Sequence, residues 1–345
     1  MDFLTPQQCQ TLPKVVLHDH LDGSLRPETV HRIRKELGLP TPWGDALQPG
    51  WFASQMQAHS LPAYLDGFKY TLECMQRTED LKTVAFEACM DLADDNVRYA
   101  ELRFAPLLCT NAGLAPEAVV ESVLEGIEQA QRQRNIHVQL LLCVMRQADS
   151  AHSMRVVELA KTYLNRGVAG IDLAGPEEGF PPRTHQKSFQ KAHDAGVPIT
   201  VHAGETCGIE SIAIAVNDHF AQRLGHGIRI LDAMPGNGVL PDLMWDILER
   251  NITLEVCPSS NVMVGAVESL QAHPWLILDR LHLPITLNTD NRLISNITTS
   301  QEWAHASKAF DFMVESAVRH TSTAIESAFT TDAVKKELRA GLKDW

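Results

Sequence analysis

Short β-branched or apolar runs alternate with longer stretches of helical periodicity along this chain, the pattern left by parallel strand–helix units. Eight such runs stand out: Val15–His18, Arg98–Phe104, Val138–Val144, Gly170–Leu173, Ile199–His202, Arg223–His226, Thr253–Cys257 and Ile285–Thr289. Between them the spacing predicts helices. Pro116 suits a first helical turn, and Val119, Val120, Val123, Leu124 and Ile127 follow at i, i+3, i+4 intervals. A second helix is expected after Ser150, and Gly167 and Gly196 are placed to close helices in the left-handed conformation. Eight strands in 345 residues fit a TIM (β/α)8 barrel of the α/β class. The excess length lies between the first two strands, Arg26 to Asn96, where a helical insertion after the first strand could cover one end. An open doubly wound sheet is the alternative, but the first strand is not followed by a G-x-G-x-x-G phosphate loop. No repeat or linker divides the chain, so one barrel domain over residues 1–345 is expected.

Composition limits the partners. Apolar residues make up 44% of the chain, yet no run approaches the ~20 residues of a membrane span. The start, Met1 to Lys14, has no signal-peptide pattern, which makes cytoplasmic the expected location. A formal charge of −13 repels nucleic-acid and anionic lipid surfaces, leaving a small ligand as the expected partner. Seven cysteines, none paired as C-x-x-C, suggest free thiols and no thiolate metal site.

The chemistry gathers where apolar runs stop. After the first comes His18-Asp19-His20-Leu21-Asp22-Gly23, and alternate residues of an extended segment project the same way. The fifth run ends at His202, with Glu205 close behind; the sixth ends at His226, and the eighth leads into Asp290-Asn291. Each alone has an ordinary reading: a polar strand end, a helix-start carboxylate, a hydrogen-bonded core histidine, a turn. Together they would meet at the C-terminal face of a barrel, where barrel active sites lie. Imidazoles with a hard oxygen and no thiolate suit Zn²⁺.

At these residues the chain resembles the adenosine deaminases of the amidohydrolase superfamily. The matching blocks are HDHLDGSLRPET from His18, DLAGPE from Asp172, VHAGE from Val201, RLGHG from Arg223, EVCPSSN from Glu255 and LNTDN from Leu287. The resemblance implies zinc-dependent hydrolysis of adenosine and 2′-deoxyadenosine to inosine, 2′-deoxyinosine and ammonia. It implies that His18, His20, His202 and Asp290 hold one zinc with a water. His226 and Asp290 would orient and deprotonate that water, and Glu205 would donate a proton to purine N1. Around the purine nucleoside it places His20; Asp22 at the ribose 5′-hydroxyl; Gly175 at N3; and Leu61, Leu65 and Phe68, with Tyr64, on an apolar gate helix. The Leu61, Tyr64, Leu65, Phe68 spacing suits a plain core stripe equally well.

One departure concerns Asn291, where many members carry aspartate. An asparagine amide donates to N7 without titrating, so the role can survive. Within enzymes, the rival substrates are adenine, aminodeoxyfutalosine or a 5′-modified adenosine. From another class, the rival is a nucleoside-binding barrel without turnover, which would be expected to lack Glu205 or a metal ligand.

Overall fold

The computed structural model describes residues 3–55, 61–234, 240–343 and 345, with backbone alone at Pro62 and Ala63. Eight strands run parallel: β1 (Lys14–His20), β2 (Val97–Phe104), β3 (His137–Met145), β4 (Val168–Ala174), β5 (Thr200–Ala203), β6 (Arg223–His226), β7 (Thr253–Val256) and β8 (Ile285–Leu287). All eight expected runs are found, with ends within two residues of the sequence reading. They pair in two four-stranded parallel ladders, β1 to β4 and β5 to β8. Single parallel bridges, Ile171 with Ile199 and Asp19 with Asp290, close the ring. The result is a (β/α)8 barrel.

The helices follow from local chemistry. Pro116–Gln131 begins with its proline and buries Val119, Val120, Val123 and Ile127, while Leu124 stays half-buried. Ser150–Tyr163 starts where the Asp149 side chain accepts from the backbone N–H of His152. Gly196 and Gly167 both have positive φ. Only Gly196 lies in the turn directly after a helix. Gly167 sits four residues past the end of Ser150–Tyr163, because the chain first turns back onto β4.

The insertion is helical, as expected. Pro27–Glu36, Trp51–Gln55, Leu61–Asp66, Phe68–Leu72 and Thr78–Asp94 separate β1 from β2, with residues 56–60 outside the described set. The predicted continuous gate helix is instead two short helices meeting at Gly67. Among the described residues no helix is long and apolar enough to cross a membrane. All seven cysteines are free thiols.

The barrel axis is filled partly by charge. Arg103, Arg223, Glu101, Asp172 and Glu255 are all at most 1% exposed. Arg103 spans Asp172 (3.0 Å) and Glu255 (2.8 Å), while Arg223 reaches Glu255 (2.6 Å) and also pairs with Glu101. Burying such groups is tolerable only when each charge is paired and hydrogen-bonded.

Candidate active site

Six residues from four strand ends converge at the C-terminal mouth. His18 and His20 come from β1, His202 from β5 and Glu205 from the loop beyond it, His226 from the last position of β6, and Asp290 from the turn after β8. None is more than 8% exposed. His226 and Asp290 have φ of 63° and 64°, left-handed values that cost a non-glycine residue ~1–3 kcal/mol. That turn lets both side chains point inward from strand ends. The chain accepts the strain because the Asp290 backbone is pinned to β1, with its N–H on His18 O and its C=O accepting from His20 N–H.

The donor atoms face one another. His18 Nε2 lies 3.3 Å and His20 Nε2 3.4 Å from Asp290 Oδ1, and His20 Nε2 lies 3.2 Å from His202 Nε2. The far nitrogens are held by carboxylates: His18 Nδ1 donates to Glu255 (2.9 Å) and His202 Nδ1 to Asp172 (2.9 Å). Both carboxyls stay ionised, because Arg103 and the histidines outweigh burial and hold them below the usual range. A carboxylate on Nδ1 fixes the proton there and leaves the Nε2 lone pair free, the arrangement of metal-ligating histidines. His18 Nε2 is buried and has no hydrogen-bond partner. A cation is what such a set of facing lone pairs fits.

Two overlapping groups can enclose an ion: His18, His202, His226 and Asp290, or His20, Asp172 and His202. In the second, Asp172 is already spent on His202 and Arg103. In the first, His226 Nδ1 is engaged by the Asn261 amide at 3.1 Å. His20 also faces the first group, with its Nε2 3.4 Å from Asp290 Oδ1 and 3.2 Å from His202 Nε2.

Glu205 sits on a loop clamped from below. One oxygen of Glu177 takes the N–H groups of Glu205, Thr206 and Cys207, and the other takes Gly204 N–H and Ser211 Oγ, at 2.8–3.0 Å. Gly204 turns this loop at φ +78°, where a Cβ would lie 2.4 Å from Ile212. Burial, with the charges of Asp290 and Glu177, pushes the Glu205 carboxyl well above its ordinary range. That direction favours its protonated form. Burial and the neighbouring His18 hold His226 neutral.

The remaining predicted residues are placed unevenly. Asp22 is buried in the turn after β1, and burial lifts its carboxyl to about 7. Its Oδ1 has no hydrogen-bond partner, with His20 Nδ1 3.8 Å away. Gly175 follows β4 with φ +100°. Asn291 lies against Gly23, where a Cβ would stand 1.9 Å from its Oδ1. Of the apolar stripe, Phe68 meets the His20 ring edge-on at 6.3 Å, and Tyr64 is buried with its hydroxyl on Ser295. Leu61 and Phe68 pack on the main core, whereas Leu65 is only half-buried and does not. Of this stripe, Phe68 is thus both packed on the core and beside His20.

Sequence reasoning gave no role to Asp172, Glu255, Arg103, Glu177 or Asn261, although four of them lie in the quoted blocks. Charged residues inside otherwise apolar strands were the available signal. Arg103 is the common partner of the two carboxylates that orient His18 and His202. Arg103→Met should cost ~3–5 kcal/mol of stability, since it takes the arginine from buried Asp172 and leaves Glu255 only Arg223. It should also weaken metal retention ~10–100-fold. Denaturant unfolding and metal analysis check this; an unchanged midpoint would show that the network is slack.

A cleft of about 660 Å³ opens at the opposite end of the barrel, lined by residues such as Asn165, Arg250, Phe329 and Lys335. In barrels that face serves stability.

Known proteins resemble this chain over nearly its whole length. The adenosine deaminase family model matches residues 13–345. An adenosine deaminase of Mycobacterium ulcerans is 41% identical over 95% of this chain and 93% of its own. One of Mycobacteroides abscessus is 42% identical over 92% and 90%. Among solved structures, the N6-mAMP deaminase of arabidopsis superposes with a TM-score of 0.84 at 26% identity, covering 98% of this chain and 100% of its own. The adenine deaminase of Arthrobacter aurescens reaches 0.88 at 24% identity, covering 97% and 99%. With a match over nearly its whole length and relatives above 40% identity, the chain belongs to the adenosine deaminase family of hydrolases.

Proposed function

We propose that this chain uses one zinc ion to convert adenosine and 2′-deoxyadenosine, with water, to inosine, 2′-deoxyinosine and ammonia. The observation that carries the reading is a buried Glu205, its carboxyl pushed well above its ordinary range by burial and by Asp290, beside a cluster of facing histidine and aspartate donor atoms. His18, His20, His202 and Asp290 would hold the ion, and nitrogen and carboxylate donors without thiolate suit zinc. Bound there, zinc supplies the Lewis acidity that lets water ionise near neutral pH.

The protein's own groups do the rest. Asp290 takes a proton from the attacking water, and His226 orients its oxygen. Glu205 delivers its proton to N1 as C6 becomes tetrahedral. The water oxygen ends on C6; Asp290 passes the water's proton to the amino group, which leaves as ammonia while the C6 hydroxyl gives its proton back to Glu205 and becomes the carbonyl. Gly175 offers its backbone N–H to N3, and Asn291 offers its amide to N7. Phe68 covers His20 at the mouth, with Leu61 and Leu65 beside it.

Asp22 sets the choice among purines. Its buried carboxyl has an unpartnered oxygen and no lysine or arginine among its described contacts, which suits a neutral 5′-hydroxyl and repels a 5′-phosphate. Free adenine would leave that oxygen unpaired, a loss of ~1–3 kcal/mol or up to ~10²-fold. The test is an absorbance screen of kcat/KM on adenosine, 2′-deoxyadenosine, adenine and 5′-modified adenosines, including the 5′-phosphate. Adenosine and its 2′-deoxy form should lead. A lead for adenine or a bulky 5′-substituted nucleoside would overturn the substrate assignment and leave the metal chemistry standing.

A further inference from the structure

Glu205 Oε1 and His226 Nδ1 are only 3.6 Å apart. One is assigned to give a proton and the other to act on water, so a direct hydrogen bond between them would short-circuit both roles. Asn261, from the helix Pro258–Met263 after β7, stands between them. Its amide nitrogen lies 3.0 Å from Glu205 Oε1 and 3.1 Å from His226 Nδ1. Its carbonyl oxygen lies 3.3 Å from His273 Nε2.

The polarity of this chain is fixed at its far end. Trp275 donates its backbone N–H to His273 Nδ1 at 3.1 Å, and a backbone amide can only donate. Burial pushes His273 down to about 3, so it is neutral and carries a single N–H. With Nδ1 accepting, that hydrogen is on Nε2 and points at the Asn261 oxygen. The asparagine cannot then turn its carbonyl toward Glu205 and His226; it presents two N–H groups to them. Asn261 is fully buried, and no water is needed to complete the set.

We propose that Asn261 is a positioning residue that fixes where both proton-transfer groups carry their hydrogens, with His226 protonated on Nε2 and Glu205 on Oε2. Resting on the function proposed above, this divides labour more sharply. A neutral His226 with its hydrogen on Nε2 donates to the attacking oxygen and cannot remove its proton, which leaves Asp290 as the base. The same hydrogen bars His226 Nε2 from ligating the metal and leaves that position to His20. Asn261 touches neither substrate nor metal in this scheme.

The experiment uses zinc-loaded, full-length protein labelled with ¹⁵N-histidine, with the His226 resonances assigned by their loss in His226→Gln. In the parent, His226 should show an imine-type Nδ1 and a protonated Nε2. Asn261→Asp replaces the double donor by an acceptor and should move the His226 hydrogen to Nδ1. It should also lower kcat ~10²-fold with KM and zinc content near the parent's. His273→Leu leaves Asn261 in place and removes only the group that orients it, and it should yield a mixture of the two His226 forms with a smaller fall in kcat. A parent His226 protonated on Nδ1 overturns the proposal without any variant having to fold. So does an unchanged His226 spectrum and kcat in a folded Asn261→Asp. Failure of the parent to deaminate adenosine would sink the functional reading instead, and the spectrum would still report the hydrogen-bond polarity.

Discussion

Replacing Glu205 with glutamine is expected to lower kcat at least ~10²-fold, the usual weight of general acid catalysis, while zinc content and stability stay near the parent's. The substitution keeps the shape and the oxygen that accepts from Asn261 (3.0 Å). It also keeps the backbone N–H bond to Glu177, since that involves no side-chain atom of residue 205. An amide can hydrogen-bond to purine N1 but cannot transfer a proton to it, so substrate should still bind and the ring should stay aromatic. KM is therefore expected to move little. Steady-state kinetics with metal analysis on the same preparation decides the matter. Near-parent turnover with zinc retained would reassign Glu205 to holding the loop.

The acid is believable because three separate features converge on it. The carboxyl is 5% exposed, faces the charges of Asp290 and Glu177, and receives one neutral donor in place of a cation. Removing the Glu177 charge would relax the raised affinity of Glu205 for its proton and also unfasten four backbone N–H groups. Glu177 thus links the position of the acid to its protonation.

Strands and metal-facing residues were legible in the sequence for the same reason. Where an apolar run of β-branched residues stops on a histidine or leads into an aspartate, the stop itself marks the strand end, and a barrel brings its strand ends together. His18, His20, His202, His226 and Asp290 needed no knowledge of pairing. The residues that orient them did need it. Arg103 meets Asp172 and Glu255, 69 and 152 residues away, and nothing local reveals that three charged mid-strand positions share the barrel axis. The Asn261–His273–Trp275 chain was hidden likewise, since its meaning lies in hydrogen-bond polarity. Helix periodicity misled at Leu61–Phe68, where the i, i+3, i+4, i+7 pattern spans two helices that meet at Gly67.

Loss of the metal should abolish deamination, and His202→Ala should do the same by removing one facing lone pair. His202 Nε2 sits 3.2 Å from His20 Nε2, and its Nδ1 hydrogen is fixed by Asp172, so no other group can replace it without moving β4 or β5. Without the cation, the buried water lacks the Lewis acid that brings its ionisation within reach of neutral pH. Activity should therefore return with added zinc in the parent and fail to return in His202→Ala. Among the described residues the two overlapping donor groups share His202, so they cannot each hold an ion at once, which predicts a single ion. The decisive measurement is a zinc titration of metal-free parent protein, following ammonia release from adenosine. The account predicts activity rising from background in proportion to zinc and levelling at about one equivalent per chain. Full turnover in protein verified free of metal, or a rise continuing to two equivalents, would contradict it.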